Sequence, residues 1–300
     1  MGWNAYILFW ICVIGLCLGS FYNVVILRSL SGESIVFPPS KCPKCGHSLY
    51  FWHNIPIFSY LLLKGKCYFC KSKISIQYPL VELLTMILFG LTFIKFGATI
   101  KTLFVLIWLS AFIIMTMTDI KAKLVDCNIA IGVGVLGIIY NFIFFGWNGV
   151  ISSVASIALC VIILELIARI GYIFAKTRAM GEADTYVAGA LGAIFGLNGT
   201  VNVLLYSFIT AMIIAVPMFF YKKYRNGDKL SCLIALLFAA AVIIHLLYVQ
   251  NIFTILSLVI LGCILSYNTL KNIKSSEKLT YFPFVPAFFI GTIIAFGMQF

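Results

Sequence analysis

The sequence predicts an all-α polytopic membrane protein of about 8–10 transmembrane helices, with a small four-cysteine, zinc-ribbon-like loop on its cytoplasmic side. Three observations predict it. Of 300 residues, 63% are hydrophobic and only 10% are charged, more apolar surface than a water-soluble fold can hide. Apolar runs recur along almost the whole chain, and a run of about twenty residues crosses a hydrocarbon core of roughly 30 Å. Two C-x-x-C pairs, Cys42 with Cys45 and Cys67 with Cys70, stand in a lysine-rich stretch between the first two runs.

The runs fall at 3–27, 79–96, 102–118, 128–146, 150–174, 184–198, 201–220, 230–248, 252–270 and 281–299. The net charge of +12 is spread over short loops rather than gathered in a patch, so it writes membrane topology and argues against a nucleic-acid partner. Of the Lys and Arg residues, all but Lys95 and Lys101 fall at one set of inter-run loops and helix ends. The positive-inside bias then places the amino terminus outside and the loops at 28–78, 119–127, 175–183, 221–229 and 271–280 in the cytoplasm. The run beginning at Trp3 has no basic stretch before it and no small-residue cleavage pattern after it, and is expected to stay as the first span. The resulting organisation is a first span over 1–27, a metal-binding loop over 28–78, a membrane core over 79–228, a pair of further helices over 229–280 and a last span over 281–300.

Glycine spacings at Gly15 with Gly19 and Gly192 with Gly196 predict close helix approach. Turns are expected at Gly146-Trp147-Asn148-Gly149 and at Leu197-Asn198-Gly199. Six further cysteines, Cys12, Cys17, Cys127, Cys160, Cys232 and Cys263, lie in or beside the apolar runs and are expected to pack there.

Two C-x-x-C turns wrap one tetrahedral Zn²⁺ readily, and four thiolates leave no coordination position open. Cys42, Cys45, Cys67 and Cys70 are therefore expected to hold a structural rather than a catalytic ion, four free thiols being the alternative. His47 and His53 lie close by as alternative ligands or as solvated or packed rings.

Acids are scarce, nine in all, and one inside or at the edge of a span is costly unless it is used. Asp119 ends the third run and Asp184 opens the sixth, at the same membrane level by the topology above. Asp184 also suits a helix N-cap, and Asp119 also suits pairing with Lys121 or Lys123. Two carboxylates brought close together cannot easily both ionise, so one holds a proton while the other activates water, which is the chemistry of acid–base peptide hydrolysis. Glu165 is expected to pair with Arg169, Glu82 to complement the dipole of its helix start, and Asp126 and Glu182 to stand near enough to tune the pair. There is no H-E-x-x-H and no G-x-S-x-G.

With these residues in hand, the chain resembles the bacterial type IV prepilin peptidases. The most specific stretch runs from Pro38-Pro39-Ser40-Lys41-Cys42-Pro43-Lys44-Cys45-Gly46-His47, through Asn54-Ile55-Pro56 and Gly65-Lys66-Cys67, to Tyr78-Pro79-Leu80-Val81-Glu82-Leu83. Gly19-Ser20-Phe21-Tyr22-Asn23 and Pro283-Phe284-Val285-Pro286 resemble the family's first-span ending and last-span opening. The resemblance implies an aspartyl endopeptidase of the inner membrane with Asp119 and Asp184 as catalytic residues. Its implied substrate is a prepilin or pseudopilin, cut after a glycine. In bifunctional members the new N-terminus is then methylated from S-adenosylmethionine, an activity associated with the cysteine loop.

Three departures stand out: Ala183 where the family's second aspartate motif has glycine, Asp126 where a proline is usual, and the apparent insertion of two helices over 229–280. Alanine at 183 is expected to disturb the site geometry and lower the rate if positive φ or close backbone approach is needed there. The rival reading, which Ala183 keeps open, is a non-catalytic pilus-assembly scaffold or an ion-coupled transporter.

Overall fold

The computed structural model describes residues 2–175, 181–225 and 283–299, so the expected inserted helices at 229–280 lie outside the described residues. The chain divides into two compact units, Met1–Val154 and Ala155–Phe300. Helices dominate both. Among the described residues no strand forms, and β-pairing is limited to two isolated bridges in the cysteine loop.

Among the described residues seven α-helices follow one another: α1 Gly2–Ser31, the one-turn α2 Phe58–Leu62, α3 Gln77–Phe96, α4 Ile100–Ala122, α5 Cys127–Ala175, α6 Glu182–Arg225 and α7 Val285–Gln299. Five of them (α1, α3, α4, α5 and α6) are long and apolar enough to cross a membrane. At 1.5 Å per residue the 20 residues of α3 extend about 30 Å, one hydrocarbon thickness.

The 49-residue α5 and the 44-residue α6 are too long for one crossing each, and both break at a glycine. Gly146 takes φ 62° and Gly196 φ 60°, a region open to glycine and strained for other residues. Beyond Gly146 the chain folds back on itself, since a Cβ on Gly149 would run into the Asn141 carbonyl. The expected turn at 146–149 is thus present. The second expected turn is displaced, because residues 197–199 are helical and the break falls on Gly196 itself.

In lipid no hydrophobic force draws one apolar helix to another, so close packing and internal hydrogen bonds must hold the bundle. In the first unit α1 and α3 run antiparallel at backbone contact: a Cβ on Gly15 would lie 3.0 Å from the Met86 Cα, and one on Gly19 2.7 Å from the Glu82 Cα. Tyr22 donates to Ser110 Oγ at 2.6 Å and ties α1 to α4. Trp108 of α4 meets Tyr140 of α5 edge to face, with ring centres 5.1 Å apart.

In the second unit, Gly192 stands where a Cβ would lie 2.8 Å from the Ser156 carbonyl oxygen, so it serves close packing. Gly196 takes φ 60° where α6 breaks, so the pair expected as one packing motif holds a contact and a turn. α7 packs antiparallel on α6, where Gly291 leaves room for Ser207 and Phe284 meets Phe208 at 5.8 Å. Hydroxyls inside the helices, such as Thr85, Thr92, Ser207 and Thr292, donate to the carbonyl four residues back, which satisfies them without water.

Candidate metal centre and buried aspartates

The cysteine loop folds by local hydrogen bonds into two near-copies of one turn. In the first, Gly46 N–H donates to the Cys42 carbonyl and Cys42 N–H to the His47 carbonyl; in the second, Lys71 N–H donates to Cys67 and Cys67 N–H to Ser72. The bridges Lys41 to Ser48 and Lys66 to Lys73 close the two turns in the same way. Each turn needs a left-handed residue right after its second cysteine. The first supplies Gly46 at φ 73° and the second Lys71 at φ 59°, where a side chain costs roughly 1–2 kcal/mol.

Together the turns bring Cys42, Cys45, Cys67 and Cys70 into one cluster whose sulfurs all lie within 4.8 Å of one another. A tetrahedral ion with Zn–S bonds of about 2.3 Å wants sulfurs about 3.8 Å apart, and Cys42 Sγ to Cys70 Sγ is 3.9 Å. The four thiols therefore fit a metal ion, and no other group of three or more His, Cys, Asp or Glu among the described residues is gathered in this way.

The thiols differ before any ion arrives. Cys70 is pulled down to about 6 by the Ser72 hydroxyl, 3.1 Å from its sulfur, and by the Ser72 backbone. Cys45, although the His47 backbone draws it down, is pushed up to about 11 by desolvation and by the neighbouring Cys42 and Cys70 sulfurs. Cys70 is thus inclined toward the thiolate, the form a cation needs. His47 and His53 are not in the cluster. His47 stacks on Phe69 at 4.6 Å, and His53 leans on Tyr68 at 5.1 Å while its Nδ1 accepts the Tyr50 N–H.

The loop is tied to the membrane helices at several points. The Arg28 guanidinium, at the end of α1, donates to the Ser34, Ile35 and Pro38 carbonyls. Asn23 donates to the Tyr78 carbonyl and accepts from Gln77. Glu82, the sixth residue of α3, is buried, and its carboxylate accepts the Ile57 N–H at 2.7 Å. That is more than the dipole role expected of it. Its partner lies 25 residues away across an irregular loop, so no local pattern announces the bond. The available signal is a lone acid in an apolar helix. Ile57 itself sits at φ 61°, an outlier for a β-branched residue, held just before α2.

Asp119 lies in the last turn of α4 and is 1% exposed. The helix stops beyond it at Lys123, which is left-handed and donates its N–H to the Asp119 carbonyl. Beside this turn a cleft of about 260 Å³ opens between the ends of α1 and α4 and the start of α5, lined by Val25, Ser29, Ile114, Thr118, Val125 and Ile129 among others. The Asp119 turn is thereby at the same end of the first unit as the cysteine loop. Asp126 is the N-cap of α5, accepting the Asn128 N–H at 2.9 Å.

Asp184 belongs to the second unit and is also 1% exposed. It is not the N-cap. It occupies the third helical position of α6 and reaches back to accept the Gly181 N–H at 3.0 Å, one half of a capping box. Ala183 is the second residue of α6 and helical, so no positive φ is asked of it. From 182 to the break at Gly196 the helix extends only about 21 Å, short of a hydrocarbon core of roughly 30 Å. Glu165 and Arg169 form the expected pair at 3.4 Å.

A helical membrane protein with buried acids at helix ends and a four-thiol metal loop is the class these features define. Comparison with known proteins gives the family. The model of the bacterial peptidase A24 N-terminal domain matches residues 13–96, and that of the type IV leader peptidase family matches residues 103–216. A prepilin leader peptidase/N-methyltransferase of Neisseria gonorrhoeae is 34% identical over 230 residues, covering 69% of this chain and 80% of the relative. Proteins of the same name from Myxococcus xanthus (strain DK1622) and Bacillus subtilis (strain 168) are 32% and 40% identical over 206 and 119 residues, covering 69% and 40% of this chain. The chain spans 61% of the Myxococcus protein's length and 48% of the Bacillus protein's. No solved structure matches. The chain belongs to the type IV leader peptidase family of bacteria.

Proposed function

We propose that this protein is a membrane aspartyl endopeptidase that removes the leader of a type IV prepilin or pseudopilin at the cytoplasmic face of the inner membrane. Family membership is the observation that carries the reading, and the resemblance assigns the two catalytic roles to Asp119 and Asp184. Each is almost wholly buried at a helix end, although an ionisable side chain in a membrane bundle is costly without a use. The names of the relatives favour an enzyme over the scaffold and transporter readings.

In the mechanism, one aspartate as carboxylate takes a proton from the attacking water while the other, protonated, donates to the scissile carbonyl; the roles exchange as the amine leaves. The pair titrates as a unit. The pairing itself rests on the resemblance and on the common membrane level that the charge bias assigns. The positive-inside bias also supports an outside amino terminus and a cytoplasmic cysteine loop. On this reading the peptidase core spans 79–228, the loop 28–78 is its metal-bound appendage, and 229–280 is an added helical pair.

The ion fitted by Cys42, Cys45, Cys67 and Cys70 is Zn²⁺ on this reading, since four thiolates in a closed tetrahedron suit it and leave no site for water. It holds the loop folded and takes no part in the cleavage. S-adenosylmethionine enters only through the names of the relatives; the sequence carries no Gly-rich methyltransferase fingerprint, and no residue here is assigned to it.

Purified protein incubated with a synthetic prepilin tests the proposal. Cleavage after a glycine is expected, and it should vanish in the Asp119→Asn, Asp184→Asn double variant; cleavage that persists in that variant removes the mechanism. Mass spectrometry of the mature peptide, with S-adenosylmethionine supplied, should find one added methyl group on the new N-terminus.

A further inference from the structure

The one-turn helix α2 presents Phe58, Leu61 and Leu62 on one side, at spacings i, i+3 and i+4, and they are 63%, 65% and 81% exposed. In water such a triad is an oddity for a loop that also carries six lysines. The depth at which α2 is fixed gives it a use. The Ile57 N–H, immediately before α2, is bound to Glu82, five residues into α3 and about 7.5 Å along its axis. The exposed apolar stripe of α3, Leu80, Leu83, Ile87, Leu91 and Ile94, begins at its fourth residue, before that level is reached. The start of α2 is therefore held close to the level of the first lipid-facing side chains of the neighbouring span.

We propose that α2 is an interfacial helix, with Phe58, Leu61 and Leu62 inserted among the acyl chains of the leaflet on the loop's side and Glu82 as the residue that fixes its depth. The triad is tied through Ile57 to the turn of α3 where its exposed apolar stripe begins, which is why a lipid is its occupant. Charge agrees. Between 32 and 76 the chain carries Lys41, Lys44, Lys64, Lys66, Lys71 and Lys73 against Glu33 alone, and Lys64 and Lys66 follow α2 directly, where anionic headgroups lie. Trp52 and Tyr50, stacked at 4.9 Å and exposed, are side chains of the kind that settles at the headgroup level. The two cysteine turns are thereby held down on the membrane rather than swinging free above it. This inference rests on the membrane-spanning helices and does not depend on the peptidase reading.

Photo-crosslinking of the full chain in vesicles of phosphatidylethanolamine and phosphatidylglycerol tests it. Benzoylphenylalanine is placed singly at position 58, 62 or 83, the last being a lipid-facing control on α3. Phospholipid adducts are expected from 58 and 62 at yields within about threefold of 83. With Glu82→Leu, the yield at 62 should fall by about threefold or more while that at 83 stays constant, because the anchor and not the bundle is lost. The proposal is overturned if 83 labels lipid and neither 58 nor 62 does. It is equally overturned if 58 and 62 label a second copy of the chain or an added prepilin in place of lipid, and the depth-fixing role fails if Glu82→Leu leaves the yield at 62 unchanged.

Discussion

The cysteine loop and the two aspartate turns carry the chain's candidate chemistry, and they are built by different means. The loop's four sulfurs are gathered by turns, each closed by hydrogen bonds reaching no more than nine residues along the chain. Asp119 and Asp184 are instead carried at the ends of long apolar helices and buried by them, each beside a local cap. A site made of short turns holds its shape through local hydrogen bonds and tolerates exposure. An acid at a helix end owes its position and its dryness to the helices packed around it, and that dryness raises a carboxyl's hold on its proton.

The sharpest way to break this contrast is to change one site and read both. Asp119→Asn or Asp184→Asn alone is expected to lower prepilin cleavage roughly a hundred- to ten-thousand-fold while the metal content, read by elemental analysis, stays at that of the parent protein. The converse is Cys42→Ser with Cys67→Ser. Bound metal should disappear and the stretch 32–76 should become sensitive to protease in intact membranes, with cleavage reduced by less than about tenfold, since the ion only folds the loop. A cleavage loss as large as that of the aspartate variants would make the loop part of the peptidase site.

Smaller effects separate the loop's tether from its turns. Glu82→Leu leaves the Ile57 N–H without its acceptor and should destabilise the protein by about 1–3 kcal/mol in thermal unfolding, with metal retained. Within the loop, Gly46→Ala meets no atom within 4 Å, so its cost is backbone strain alone, about 1–2 kcal/mol in resistance to chelator. Lys71→Gly relieves the same strain in the second turn but gives up the ammonium 5.3 Å from the Tyr68 ring centre, for a net gain of about 0.5 kcal/mol. Equal responses at Gly46 and Lys71 would mean that the two turns are not the copies their hydrogen bonds suggest.

Several features were legible because they are local. Apolar runs marked α1, α3 and α4 to within about four residues at each end, since a span must satisfy its own backbone wherever it sits. The C-x-x-C pairs marked the metal centre, and the spacing of Glu165 and Arg169 marked their ion pair. Gly15 and Gly19 marked a real helix contact, whereas Gly192 and Gly196, spaced identically, proved to be a contact and a turn. Spacing reports which side of a helix a glycine is on, and not whether the helix continues through it.

By itself, then, the amino-acid sequence determined that the chain lives in a bilayer, that four cysteines close on one centre, and which two acids need an explanation. Each of those follows from the chemistry of neighbouring residues. The tertiary structure alone decided that Glu82 holds a loop backbone 25 residues away, that α6 breaks at Gly196, and that Asp184 is a third-position capping partner rather than an N-cap. Those depend on which distant backbone groups packing leaves in need of a partner.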